Sequence, residues 1–247
     1  MRNVFSGEPL WRPGTHWPWY LALPAALAIF VASHAIAVGI STTLWPCGET
    51  GPANGSLRLS EFAMRLLVIS QAAIVALTLL AATWPAWRPA AALRLQPTAR
   101  GWPTYAAAIV AMIAVLIVIN VLAWTLRPDD TLRDFKMFAD TVRSPNPLVP
   151  ALAIGLGAPL SEELLFRGFL LTSLASTRLG FWPATILVTL AWTLAHWGYS
   201  MVGLAEVFAI GLFLSWLLWR TGSLYVPLFC HVVYNSTLFL VLRYVVE

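Results

Sequence analysis

The chain has 247 residues, of which 59% are hydrophobic and 11% are charged, and its mean hydropathy is +0.75. About a quarter of the residues in a soluble domain are charged, so this composition excludes a soluble protein and indicates a polytopic membrane protein. The net charge of +4 comes almost wholly from arginines scattered over the chain. Because they form no single basic stripe, nucleic-acid binding is not indicated.

Apolar runs long enough to cross a bilayer, which takes about 20 helical residues, recur along the sequence. We predict seven spans, of which the sixth is the shortest: Trp17–Ile40, Phe62–Trp84, Trp102–Leu126, Pro147–Leu174, Trp182–Tyr199, Leu204–Trp219 and Leu224–Val245. The predicted fold is all-α, a polytopic transmembrane helical bundle in a single domain over residues 17–247, after a cytoplasmic tail at residues 1–16. The first run is too long for the apolar region of a secretory signal, so we expect an uncleaved first span.

The positions of the arginines predict how the bundle is oriented. They concentrate in the N-terminal tail and in the connections after the second, fourth and sixth spans, namely Arg2, Arg12, Arg88, Arg94, Arg100, Arg178 and Arg220. Basic connections tend to stay in the cytoplasm, so we expect the N-terminus there. The near absence of lysine suggests a GC-rich bacterial genome and hence a bacterial cytoplasmic membrane. Cys47 in a loop and Cys230 in the last span are not expected to pair.

The first three spans, within residues 17–146, carry few polar side chains: His34, Arg65, Gln71 and Asn120. Arg65 near a membrane end can extend its charge to water, and Gln71 and Asn120 can hydrogen-bond between helices. We therefore expect this part to be a scaffold. The following segment, 132–142, has apolar residues at helical spacing and predicts a helix in the membrane interface. Either a solvated connection or a substrate gate fits it.

The fourth span contains three ionisable side chains, Glu162, Glu163 and Arg167, at a depth where each charge costs at least about 2.5 to 3.5 kcal/mol. Such residues are rare in spans unless they are paired, hydrated or functional. Glu163 and Arg167 are four residues apart and share a helix face, so they can neutralise each other. Glu162 points about 100° away. A carboxylate without an intrahelical partner is a candidate general base.

Further polar side chains follow in the last three spans: His196, Glu206, His231 and Asn235. Peptide hydrolysis needs a base that activates water and donors that hold the developing oxyanion. Glu162 with His196 fits the first task, and His231 with Asn235, which share a helix face, fits the second. Residues 147–247 are therefore the predicted catalytic core of four spans. Glu206 is expected to be structural or solvated.

Neither a Gly-x-Ser-x-Gly elbow nor a His-Glu-x-x-His zinc motif occurs in the sequence. Three protein ligands and one water suffice for zinc, so Glu162, His196 and His231 could still hold an ion from separate helices. The residues alone therefore leave both a metal-free and a zinc-dependent site open.

Three ordered motifs of the C-terminal half resemble those of a known family. The run Glu-Glu-Leu-Leu-Phe-Arg from Glu162 to Arg167 resembles the Glu-Glu-x-x-x-Arg signature of the CPBP intramembrane proteases, the family of CAAX prenyl endopeptidases and bacteriocin-processing enzymes, also called Abi. Trp192-x-x-x-His196 is similar to its Phe-x-x-x-His motif, and His231-x-x-x-Asn235 to its final motif. Trp192 replaces the usual Phe at a packing position, where the change is expected to matter little.

This resemblance implies an intramembrane endopeptidase with a metal-free, glutamate-dependent mechanism and no cofactor. By it, the residues form a water-activating pair, an orienting pair and an oxyanion-binding pair: Glu162 and His196, Glu163 and Arg167, and His231 and Asn235. The implied partners are a peptide or protein substrate at the membrane and the lipid bilayer. Two alternatives are a catalytically silent, Abi-like binding or immunity module and a proton-coupled transporter, whose usual internal repeats are not found in this sequence.

Overall fold

The computed structural model of the chain describes residues 5–15, 17–44, 55–84, 88–142 and 146–244. Cys230 is a buried free thiol. Cys47 lies outside the described residues, so the prediction that the two cysteines do not pair stays a prediction.

Helices dominate the part of the chain that the structure describes. We number them in chain order: α1 Trp19–Leu44, α2 Gly55–Thr83, α3 Pro89–Ala92, α4 Trp102–Leu126, α5 Pro128–Val142, α6 Leu148–Ala175, α7 Phe181–Leu194, α8 Met201–Thr221 and α9 Tyr225–Tyr244. Within the described residues, six of them (α1, α2, α4, α6, α8 and α9) are long and apolar enough to cross a membrane. The chain is thus an integral membrane protein with the predicted all-α, polytopic helical fold.

The fifth apolar run forms a shorter helix than the sequence suggests. α7 has 14 residues, whereas a span needs about 20. The chain turns after it, and the His196 amide donates to the Thr193 carbonyl at 3-residue spacing over 2.9 Å. The predicted short sixth span is in turn longer, with 21 residues in α8, because Ser200 caps its start by accepting from the Gly203 amide. His196 therefore lies in a turn rather than within a helix.

α6 is the most buried of the candidate spans in the described residues, because half of the residues in its most apolar stretch are buried. It is α-helical only in part, since Ala151–Gly157 and Glu163–Leu171 adopt the wider π-helical turn. Pro150 and Pro159 lack an N–H and interrupt the α-helical hydrogen-bond ladder in this helix. π-helical turns occur frequently at functional sites, and the second one here begins at Glu163.

Close packing of α2 against α6 depends on Gly157. A Cβ at this position would overlap the Gln71 amide, which is itself buried. Asn120 of α4 donates to the Leu116 carbonyl of its own helix at 2.9 Å, so the structure shows a bond within the helix where the sequence also allows one between helices. The carbonyl four residues earlier lies within reach of a helical amide side chain.

Buried apolar side chains form two main clusters. One joins α1, α2, α6 and α7, and the other joins α4, α8 and α9 with the end of α7. Many large apolar side chains point outward instead, for example Val110, Ile117 and Leu122 on α4. Outward apolar faces are expected of helices whose surroundings are lipid.

The arginine-rich end of the bundle is closed by hydrogen bonds between connections. The Leu224 amide donates to the Arg94 carbonyl at 2.9 Å, and Arg94 Nε donates to the Gly222 carbonyl at 3.1 Å. Gly222 has a φ of 65°, and a side chain there would also overlap the Leu10 carbonyl. Burial, and then the nearby Arg12 guanidinium, lower the pKa of Arg94. Gly222 follows the C-terminal end of α8, whereas the turn that carries His196 precedes its N-terminal end.

Candidate active site

A cavity of about 660 Å³ lies between α4, α5, α6, α8 and α9. Four of the six predicted site residues line it: Glu162, His196, His231 and Asn235. The other two, Glu163 and Arg167, lie behind its wall and are 0% and 1% exposed. The structure thus brings all six residues together, from α6, α9 and the turn after α7.

Glu162 faces three side chains from other parts of the chain. The Trp192 indole Nε1 donates to Glu162 Oε2 at 2.7 Å. The Nε2 atoms of His196 and His231 lie 4.0 Å from Glu162 Oε1 and Oε2, respectively. This distance is too long for a direct hydrogen bond, and it is one that a single water can bridge. The Glu162 side chain is 22% exposed, so the cavity gives water access to it.

Glu163 and Arg167 form the ion pair that their spacing predicts. Arg167 Nη1 donates to Glu163 Oε1 at 3.2 Å, and His231 Nδ1 lies 2.9 Å from the same oxygen. Among the described residues, Arg167 Nε and Nη2 have no hydrogen-bond partner. The guanidinium instead lies 4.1 Å from the centroid of the Trp192 ring, which is a cation–π contact. The pair therefore fixes His231 on one side and contacts Trp192 on the other.

His196 is oriented by the backbone and by a stack of aromatic rings. Its Nδ1 lies 2.8 Å from the Trp192 carbonyl oxygen. When Nδ1–H donates to that carbonyl, a neutral ring leaves Nε2 as an acceptor that faces Glu162. The ring stacks on Tyr199 at 5.8 Å, and Tyr199 stacks on Phe138 of α5 at 5.3 Å. Burial, and then the nearby Glu162 carboxylate, raise the pKa of the Tyr199 phenol, so this side chain stays protonated at neutral pH.

Asn235 is held by the first π-helical segment of α6. Its Nδ2 donates to the Ile154 carbonyl at 3.0 Å. A side-chain amide has two N–H groups, so one donor of this amide remains for a ligand in the cavity.

α5 forms one wall of the cavity and fixes the turn that carries His196. The Asp134 carboxylate accepts from the Ser200 amide at 3.0 Å and from the Ser200 hydroxyl at 2.6 Å. The interfacial helix predicted over 132–142 begins four residues earlier, at Pro128. Through Asp134 it contacts the turn that carries His196. Sequence reasoning missed Asp134 because it is one of several acids in its connection and no spacing distinguishes it.

Glu206 also lines the cavity. Its Oε1 is buried, and within the described part of the chain it has no hydrogen-bond partner. This carboxylate is therefore a polar group that a molecule in the cavity could meet.

The three residues named as ligands for the zinc alternative, Glu162, His196 and His231, do not fit a zinc ion in their present positions. Zinc binds nitrogen and oxygen ligands at about 2.0 to 2.2 Å, so two ligands of one tetrahedral ion lie roughly 3.3 Å apart. Here the two imidazole nitrogens approach different oxygens of Glu162 at 4.0 Å, and the Trp192 N–H already binds Oε2. Within the described residues, no group of three His, Cys, Asp or Glu side chains is placed to hold a metal ion. We therefore assign no catalytic step to a metal.

Comparison with known proteins finds a family match for this region. Residues 144–237, which hold all six predicted site residues, match the family model of the Rce1-like type II CAAX prenyl endopeptidases. An Escherichia coli protein described as "Uncharacterized 24.3 kDa protein" is 36% identical over 98 residues, which are 39% of this chain and 45% of that protein. The match thus spans about half the length of this relative. No solved structure matches the chain significantly. Residues 144–237 carry the pattern of the Rce1-like CAAX protease family, and this confirms the resemblance predicted from the motifs.

Proposed function

We propose that this protein is an intramembrane endopeptidase that cleaves a membrane-associated peptide or protein with a water activated by Glu162 and His196. One observation carries the proposal: His196 Nε2 lies 4.0 Å from Glu162 Oε1 at the wall of the cavity. A water between these atoms can donate one hydrogen bond to the carboxylate and a second one to the imidazole. The family match of residues 144–237 supports the class of activity.

The proposed reaction uses side chains alone. Glu162 takes a proton from the water as the water oxygen attacks the peptide carbonyl carbon. The carbonyl oxygen becomes an oxyanion, which accepts from the free N–H of Asn235 and, when Nε2 of His231 carries a proton, from that N–H as well. The C–N bond then breaks, and the proton held by Glu162 moves to the leaving amine. The products are a carboxylic acid and an amine, and each oxyanion donor is worth about 10² to 10³ in rate.

The walls of the cavity suit an apolar segment of a substrate. Its wall includes Ile109, Met112 and Leu116 of α4 in addition to the polar site. A prenylated C-terminal peptide, as the name of the family suggests, and an apolar peptide without a prenyl group are the two substrates to compare.

The proposal also includes the location and orientation predicted from the sequence, namely the bacterial cytoplasmic membrane and a cytoplasmic N-terminus. The turn with His196 then lies toward the opposite face of the membrane.

Three peptides test the proposed activity on purified protein in liposomes. They are a farnesylated peptide with a Cys-aliphatic-aliphatic-X end, the same peptide without the farnesyl group, and a membrane-anchored apolar tail. Mass spectrometry is expected to find internal cleavage of at least one by the wild type and none by His196→Ala protein with an unchanged Tm. A wild type that leaves all three intact would favour the silent binding module. Equal cleavage by His196→Ala would refute the assigned mechanism.

Chelation tests the metal-free mechanism. We expect full cleavage by protein that contains no stoichiometric zinc, because Glu162 and His196 suffice to activate water. Elemental analysis and rates before and after chelator treatment give the answer. Bound zinc whose removal stops cleavage, and whose return restores it, would contradict the proposal.

A further inference from the structure

Trp192 is one of the side chains that link the two acids of the site. Its indole N–H donates to Glu162 Oε2 at 2.7 Å, and its ring faces the Arg167 guanidinium at 4.1 Å. Arg167 in turn pairs with Glu163. Trp192 is 3% exposed, so it presents its edge to the base while its ring stays within the protein.

The indole hydrogen bond distinguishes the two oxygens of Glu162. Oε2 accepts from Trp192, whereas Oε1 faces His196 Nε2 at 4.0 Å. A carboxylate without this bond can rotate about its terminal torsion, which is broad and roughly two-fold. The bond therefore keeps one oxygen directed at the space between Glu162 and His196. A phenylalanine ring at this position could pack similarly, but it has no N–H to donate.

We propose that Trp192 is a positioning residue, whose indole N–H holds Glu162 so that Oε1 faces the water to be activated. The packing role expected from the sequence accounts for the ring of Trp192 but not for its N–H group. The proposal rests on the proposed peptidase function, because the position of Glu162 matters to the rate only if Glu162 is the base.

Two replacements at position 192 separate the N–H from the ring. Trp192→Phe removes the donor and shortens the ring. Replacement of Trp192 by β-(3-benzothienyl)alanine, introduced by nonsense suppression, keeps the bicyclic shape and exchanges N–H for sulfur. We expect both variants to lose about 10- to 100-fold in kcat, the loss typical of a hydrogen bond to a charged group. KM is expected to stay within about twofold, because Trp192, although part of the cavity wall, is only 3% exposed and Glu162 still lines the cavity.

Trp216→Phe is the matched control. Trp216 lies on α8, where it packs against Phe5 and Phe213, and it is not part of the cavity wall. Its kcat is expected to equal that of the wild type. The peptide cleaved by the wild type is the substrate for all four proteins. A benzothienyl variant with wild-type kcat would overturn the proposal and leave the peptidase function intact.

A double-mutant cycle on thermal stability tests the contact between Trp192 and Glu162 even if the protein has no measurable activity. Trp192→Phe is expected to lower the Tm in detergent, and to lower it less in a Glu162→Ala background, because the bond is already absent there. Non-additive shifts support the link between the two side chains. Equal shifts in both backgrounds would overturn it. Failure of the wild type to cleave any peptide counts against the proposed function, and the cycle still tests the position of Trp192.

Discussion

α4 and α6 are both apolar spans, but they are buried to very different extents. In the most apolar 18-residue stretch of α4, the mean hydropathy is 2.9 and 17% of the residues are buried. In the corresponding stretch of α6, the mean hydropathy is 1.4 and 50% of the residues are buried. In water the more apolar helix would be the more buried one. In a bilayer lipid solvates apolar side chains, so the packing of small and polar residues decides which helix lies inside.

The polar side chains of the two helices follow the same difference. Asn120 on α4 bonds to its own backbone, whereas Glu162 and Glu163 on α6 contact side chains from α7, α9 and the turn between α7 and α8. A charged group in a span is thus accommodated where several helices meet. Changes in α6 are therefore expected to affect stability and activity more than changes in α4.

The largest effect is expected from breaking the ion pair of α6. Arg167→Ala leaves Glu163 buried without its partner, and this should lower the free energy of unfolding by about 3 to 5 kcal/mol. Thermal unfolding in detergent measures the change. The double variant Glu163→Gln with Arg167→Gln should recover part of the stability, since neither charge remains. Strictly additive losses would mean that the two residues do not pair in the folded protein, and Glu163 would then rival Glu162 as the base.

A pair of leucines tests the comparison of the two helices directly. Leu171 on α6 is 0% exposed and Leu122 on α4 is 53% exposed. Leu171→Ala leaves a cavity in packed protein and should cost about 2 to 5 kcal/mol. Leu122→Ala removes the same atoms from a face that lipid fills, and we expect a change within about 0.5 kcal/mol. Similar losses for both, measured by unfolding in one detergent, would show that α4 is packed against protein in the membrane.

Among the changes at the site, a smaller effect is expected at the wall formed by α5. Asp134→Asn weakens the bonds to Ser200 that hold the His196 turn, so kcat/KM should fall about tenfold while the protein stays folded. Asp129→Asn is the matched control, because Asp129 is exposed at the start of the same helix. Equal rates for the two variants would mean that α5 is a solvated connection without influence on the site.

Regular features were predictable from the sequence, and contacts between helices were not. α4 has the predicted bounds, Trp102–Leu126, because an unbroken apolar run specifies a span by length alone. The i,i+4 pair of Glu163 and Arg167 follows from helix geometry in the same way. The end of α7 could not be read from hydropathy, because the apolar run continues through Ala195 into the turn.

The bond between Trp192 and Glu162 shows the same limit within the site. It depends on how α6 and α7 are rotated about their axes, and no residue spacing within either helix contains that information. The motif predicts that position 192 is packed, whereas the hydrogen bond could be found only with both helices in place. The role of Asp134 was hidden for the same reason, since its partner lies 66 residues away.

The most direct test of the account is the turnover of Glu162→Gln protein in liposomes. Glutamine keeps the shape of the side chain and an acceptor for the Trp192 N–H, but it cannot take a proton from water. We expect cleavage to fall by about 10² to 10⁴, with a Tm close to that of the wild type and unchanged binding of an uncleaved peptide. Turnover near the wild-type rate by folded Glu162→Gln protein would contradict the assignment of Glu162 as the catalytic base.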